Sequence, residues 1–262
     1  MPNRWTGPLF LTLLTTLLTA PLAARTASET QAQPLELDSG PYQVHLLELY
    51  TSEGCSSCPP ADRFLREFTD SRDLWERVVP LALHVDYWDY LGWKDPFADP
   101  WHTQRQRQYR VEGLARSVYT PGWFLNGEEW RGFFLRQDPP LKNIPAPRLT
   151  ALVDRRQIEA RIETENLKQP VLTVARLGFG LQTQVPRGEN RGRLLEHDFV
   201  LMASEQVAMV PTDGGYTASL ILPLSARPSQ REAVAIWVTD GNQQPIQATG
   251  GWLPAVAGSA SP

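Results

Sequence analysis

The sequence predicts an α/β chain, with an N-terminal half of alternating strands and helices and a smaller, mainly antiparallel β half behind it. Three observations carry this. An apolar run over 44–50 leads straight into Gly54-Cys55-Ser56-Ser57-Cys58-Pro59-Pro60 and then into a run of helical period over 61–68. The only two cysteines among the 262 residues therefore stand at a strand-to-helix junction. A second apolar run over 78–85 and a second helical run over 101–111 repeat the alternation. Beyond the prolines at 139, 140, 145 and 147 the pattern changes to period two, punctuated by Pro, Gly, Asn and Asp clusters.

In order, residues 1–24 read as a secretory signal peptide. Arg4 gives the basic start, an apolar and threonine run follows over 9–20, and Ala23-Ala24 supplies small residues for cleavage. The run is too short to span a membrane, and no later segment approaches ~18 consecutive apolar residues, so no stable span is expected after processing. Export places the chain in the periplasm or outside the cell, an oxidising compartment where cysteines pair. Residues 25–41 are polar and read as a leader. With 25 basic residues scattered among 29 acidic ones, nucleic acid is not an expected partner.

Residues 42–157 make the first expected domain. The strand over 44–50 carries one carboxylate, Glu48, which is read either as a buried acid beside the second cysteine or as a group that points to an exposed face or pairs with an arginine. The helix from about 58 to 69 puts Ala61, Phe64, Leu65 and Phe68 on one face, and Pro59 and Pro60 are tolerated in its first turn. The strand over 78–85 opens onto an aromatic segment, 86–93. Loops at the C-terminal ends of strands form the ligand site in open α/β sheets, so Asp86 and Trp88 are candidate walls beside Cys55, with aromatic packing as the plainer reading. Thr120-Pro121 precedes a strand that ends in the Asn126-Gly127 turn of a hairpin. Residues 149–156 read as a last short helix. Residues 158–253 form the β-rich half, with strands over 158–163, 171–181, 199–209, 216–224, 233–239 and 245–249, and 254–262 is a tail. The stretch Gly188-Glu189-Asn190-Arg191-Gly192-Arg193 is its most distinctive, and is read as an anion site, a reach over the cysteine pair or an ordinary loop with solvated arginines.

The cysteine pair is where the chemistry concentrates. Free N–H groups and the macrodipole at a helix start favour a thiolate. A second cysteine three positions on lies on the same face and can close a small disulfide, Cys55–Cys58. Cys55 is then the exposed nucleophile and Cys58 the resolving thiol. Structural zinc would need a second such pair. A purely structural bridge over so short a loop stabilises least. The rival is a soft metal site, copper above all, built from Cys55, Cys58 and a histidine such as His84. Redox is favoured over metal because a CxxC beside a strand–helix–strand pattern points first to thiol exchange. That chemistry calls for no resident cofactor. Its partners are a protein or small-molecule thiol or disulfide and a separate redox partner.

The order strand, CxxC on a helix, strand, helix, Thr-Pro and hairpin resembles the thioredoxin fold. The resemblance implies a cis-proline at Pro121, a Thr120 backbone that pairs with an extended substrate beside Cys55, and an insertion over 86–116. More narrowly, GCSSCPPAD, HVDYWDYLGWKDPF, RQRQY, SVYTPGWFLNG and GENRGRLLEHDFV are similar to the secreted bacterial family called domain of unknown function 1223, or DUF1223. That family is described as thioredoxin-like and has no assigned activity.

Overall fold

The structure, a computed structural model, describes residues 1–3 and 33–254; the signal-peptide reading, most of the leader and the tail from 255 fall outside the described residues. The chain forms, in order, β1 (Leu35–Asp38), β2 (His45–Thr51), α1 (Pro59–Arg66) with a 3-10 turn over Glu67–Asp70, β3 (Val78–His84), α2 (Pro100–Val111), β4 (Gly122–Leu125) and β5 (Glu128–Glu129). Then follow β6 (Leu149–Asp154), β7 (Gln157–Ile162), β8 (Pro170–Phe179), β9 (Leu181–Gln184), β10 (Leu194–His197) and β11 (Val200–Ala208). β12 (Val210–Thr212), β13 (Gly215–Ile221), β14 (Arg231–Asp240) and β15 (Pro245–Trp252) complete it.

The expected α/β, thioredoxin-like N-terminal domain is overturned. The described residues are 42 % strand and 14 % helix, arranged in large multi-strand sheets. β2, β3, β4 and β5 are one half of an eight-stranded sheet in the order β15-β14-β8-β11-β3-β2-β4-β5. The edge of β3 is taken by β11, where Val200 stands opposite Ala82 and the Ala82 N–H donates to the Phe199 carbonyl at 2.9 Å. A strand edge left open in the first half is thus met, at this one residue pair, by a strand from the second. Two shorter readings also change. Of residues 149–156, expected as helix, Leu149–Asp154 is strand and 155–156 a turn, because Leu149, Ala151 and Val153 alternate inward with period two. Part of the leader is β1, paired antiparallel with β6.

The eight-stranded sheet is buried on both faces at its C-terminal end. In β14, Ala233, Ala235 and Trp237 face one core, while Val234, Ile236 and Val238 face another. The second core is closed by a five-stranded sheet, β1-β6-β7-β13-β12. Two-sided burial is why these strands read as nearly continuous apolar runs. In the N-terminal half, β2 and β3 are buried at all seven positions each. α1 packs on one face of β2 through Phe64 on Trp123, and Trp123 lies opposite Leu49. α2 packs on the other face, where Tyr109 stacks on Phe124. Among the described residues, β9 and β10 pair with each other alone, as a separate two-stranded hairpin.

Candidate functional site

Cys55 and Cys58 form a disulfide, with Cα atoms 5.5 Å apart. Cys58 is the residue that caps α1, and Pro59 and Pro60 occupy the first helical positions. Both prolines lack an N–H, so the helix start offers fewer donors than its position suggests. Its remaining early donors turn inward: Ala61 and Asp62 donate to the Cys58 carbonyl at 2.8 and 3.1 Å. The expectation of an exposed nucleophile is corrected here. Cys55 is 1 % exposed and Cys58 0 %, while Ser56 and Ser57 between them are open to solvent.

The residues expected around the pair separate into three groups. Trp88 and Thr120 do come together beside it. The Trp88 indole N–H donates to Thr120 Oγ1 at 2.7 Å, and a Cβ added to Gly54 would lie 2.8 Å from the Trp88 Cβ. The Thr120–Pro121 peptide is cis. Asp86 is turned away into α2, its carboxylate accepting from Thr103 Oγ1 at 2.6 Å. Glu48 follows its second reading. It accepts from Arg105 Nε at 2.7 Å, Tyr109 at 2.5 Å and Tyr50 at 3.2 Å, all buried. The physical reason is strand alternation: Glu48 and Tyr50 face α2, the side of β2 opposite α1.

His84 is tied elsewhere too. Its Nδ1 lies 2.8 Å from Asp95 Oδ2, which also accepts the Glu53 N–H at 2.8 Å. Burial opposes charge on this imidazole, but the adjoining Asp95 carboxylate, with Asp62 and Glu53, outweighs it and holds His84 up at about 9. Burial likewise works against the Asp95 carboxylate, and His84 overcomes it, so Asp95 stays below its ordinary value. Among the described residues no group of three or more His, Cys, Asp or Glu side chains is placed to hold a metal ion. The alternative ligand set of Cys55, Cys58 and His84 is therefore not assembled.

Further residues surround the pair, of which the sequence did not single out Asp62, Glu53 and His197. Asp62 stands one turn along α1 from Cys58, buried, with Oδ1 unpartnered among the described residues. Burial pushes its carboxyl above the usual range, with His197 and His84 pulling it back. Glu53, two residues before Cys55, is a buried hub: Trp93 donates to its Oε2 at 2.7 Å, and His197 Nε2 lies 3.2 Å from Oε1. From the turn between β9 and β10, Asn190 Nδ2 donates to the carbonyls of Glu53 and Cys55 at 2.8 and 2.9 Å. The Glu189 carboxylate accepts the Ser56 N–H at 3.0 Å. The 188–193 stretch thus reaches over the cysteine loop, one of the readings its sequence allowed. The Asp62 position was legible as the fourth residue after Cys58 on one helix face. The contacts from 189, 190 and 197 span more than 130 residues and leave no local mark.

Chemically, the arrangement holds a two-electron dithiol–disulfide couple with one buried, incompletely bonded carboxylate nearby. The profile of a family described as "Protein of unknown function (DUF1223)" matches residues 46–239. No curated protein matches the chain. Among solved structures, a structural-genomics crystal structure of an Agrobacterium tumefaciens protein is similar, at 25 % identity and a TM-score of 0.57, covering 82 % of this chain and 96 % of that one. HBP35 of Porphyromonas gingivalis shares the fold at 13 % identity and a TM-score of 0.53, covering 84 % of this chain and 78 % of that one.

Proposed function

The chain belongs to the DUF1223 family, a family of unknown function, and from that premise we propose that it is an exported thiol–disulfide oxidoreductase working through Cys55 and Cys58. The observation that carries the reading is the bridge itself, closed across two residues at the junction of β2 and α1. A bridge over so short a loop adds little stability by chain entropy, so its use lies in being opened and closed.

The exchange balances as follows. A thiolate of the substrate attacks Cys55 Sγ and breaks the Cys55–Cys58 bond; Cys58 leaves as a thiolate and takes a proton. A second substrate thiolate attacks the mixed disulfide, forms the substrate disulfide and releases Cys55. Two substrate thiols are oxidised and the protein disulfide is reduced by two electrons. Run backwards, the same steps reduce a substrate disulfide, and Cys58 must then lose its proton to attack. Asp62 is the group suited to move that proton: its carboxyl is raised by burial, it follows Cys58 by one turn and it has an open oxygen. Glu48 is withdrawn from that role by its ion pair with Arg105. Thr120, cis-Pro121 and Trp88 line the approach, and the substrate is a protein or small-molecule thiol, with a separate partner resetting the pair. The amino-terminal signal-like segment supports the site of action in an exported, oxidising compartment.

The reduction potential of the pair tests this, by equilibration against glutathione or dithiothreitol buffers with thiol trapping. A value between about −120 and −270 mV is expected for an exchange catalyst. Cys55→Ser should abolish exchange. The burial of both cysteines favours a second reading, a structural bridge in a binding protein, and a potential below about −300 mV would assign it.

A further inference from the structure

The turn between β9 and β10 covers the cysteine loop without belonging to either large sheet. Its base is held by apolar burial at Leu181, Val185 and Leu195. Its tip bends at Gly188 and Gly192, whose φ values of 78° and 79° lie where glycine is at ease. Among the described residues, the tip meets the backbone of the cysteine loop through three hydrogen bonds. Two run from Asn190 to the carbonyls of Glu53 and Cys55, and one from the Ser56 N–H to Glu189. The Ser56 hydroxyl and N–H together hold the Glu189 carboxyl below its ordinary range, although that residue is exposed. Trp88 also lies against the cysteine loop at Gly54, but it is packed against the core and bonded to Thr120.

We propose that residues 188–193 form a strap over Cys55, latched by Glu189 and Asn190, and that lifting the strap is what opens the bridge to thiols. The inference deepens the redox reading and rests on it. Three features make the strap the moving part. Cys55 is 1 % exposed although both residues after it are open, so attack on its sulfur needs a displacement. A two-stranded hairpin outside the main sheets belongs to the less stable parts of a fold. Of the three backbone groups released, the Ser56 N–H already stands at the surface, and the carbonyls of Glu53 and Cys55, buried under Asn190, are taken over by the water that enters as the strap lifts. Glu189 and Asn190 are positioning residues: they act on the loop that carries the sulfur.

A latch changes how fast the bridge is reached and leaves its equilibrium alone. The test measures, on the full chain, the rate of reduction of the bridge by dithiothreitol and the rate of its reformation by oxidised dithiothreitol. Variants are Glu189→Ala, Glu189→Gln and Asn190→Ser. Removing the Glu189 carboxylate, which the Ser56 hydroxyl and N–H both hold, should raise both rates by about tenfold or more, with their ratio unchanged. Glu189→Gln keeps an accepting oxygen for Ser56 and should return close to the original rates. Asn190→Ser takes away two hydrogen bonds and should open the bridge at least as much as Glu189→Ala. Rates unmoved by Glu189→Ala, or a shift in the ratio without a gain in both, would overturn the strap. The redox reading fails separately: it falls on the absolute equilibrium position of the unaltered protein, which the latch variants do not enter.

Discussion

Asp62 carries opposite consequences for stability and for chemistry. Its folded pKa lies above the unfolded value, so its favourable contribution is present below about 4 and is lost as pH rises through the folded pKa. Ionising this buried carboxyl, with one oxygen unpartnered among the described residues, costs the fold stability. Asp62→Asn should therefore leave the melting temperature at pH 7 unchanged or higher. In the same variant the attack of Cys58 on a Cys55 mixed disulfide should slow by roughly ten- to a hundredfold, read as single-turnover release of the leaving thiol. A slower reaction in a less stable variant would place Asp62 in packing. His84 loses its contribution in the same direction, in a more alkaline window. Its folded pKa of about 9 is above the ordinary imidazole value, so its stabilisation is complete below about 6.5 and disappears as pH rises through 9. Thermal unfolding between pH 6.5 and 10 should show this loss, on the order of 3 kcal/mol, and Asp95→Asn should remove most of the alkaline slope.

Between elements, α2 is fastened to β2 by a buried charged network. Arg105 bonds Glu48 through Nε, Tyr109 through Nη2 and Gln243 through Nη1, and its guanidinium lies 5.5 Å from the centre of the Trp237 ring. Removing one partner of such a pair leaves a charge buried alone. Arg105→Met should cost about 3–5 kcal/mol in urea unfolding, while Arg105→Met with Glu48→Gln should recover much of it. An additive double variant would show that the two side chains do not interact. The same network settled the fate of Glu48. A carboxylate in an apolar strand was legible; the face it would take was set by which helix covers which side. Helix α1 was legible from its spacing and its prolines. β6 was misread because Leu149-Thr-Ala-Leu152-Val-Asp154 satisfies both periods, and its pairing with β1 and β7 decided for strand.

At the scale of the molecule, the eight-stranded sheet makes the two halves of the sequence interdependent. β3 borrows β11 as its neighbour. Gln247 of β15, fully buried, accepts the Val44 N–H at 2.8 Å and donates to the carbonyls of Tyr42 and Pro147 at 3.0 Å each. A chain ending at residue 157 would expose the β3 edge and orphan these groups. It should show neither a cooperative urea transition nor protected amides in β2 and β3. A cooperative transition of that fragment would mean that the N-terminal strands and helices hold their own core. The cysteine site crosses the same divide, since its hub residue Glu53 is bonded to Trp93 on one side and to His197 on the other.

The sequence by itself determined the local grammar of this protein. It set the strand before the cysteines, the helix after them, the pairing of the two cysteines, the Asn126-Gly127 hairpin and most of the later strands. These depend on periodicity, turn chemistry and short loop closure, all of which act over a few residues. Only the tertiary structure decided that one sheet runs through both halves, that Glu48 belongs to Arg105, that Cys55 is covered and that Glu189 and Asn190 do the covering. Each of these is a contact between residues tens to hundreds of positions apart, and such contacts are chosen by burial and hydrogen-bond satisfaction across the whole fold.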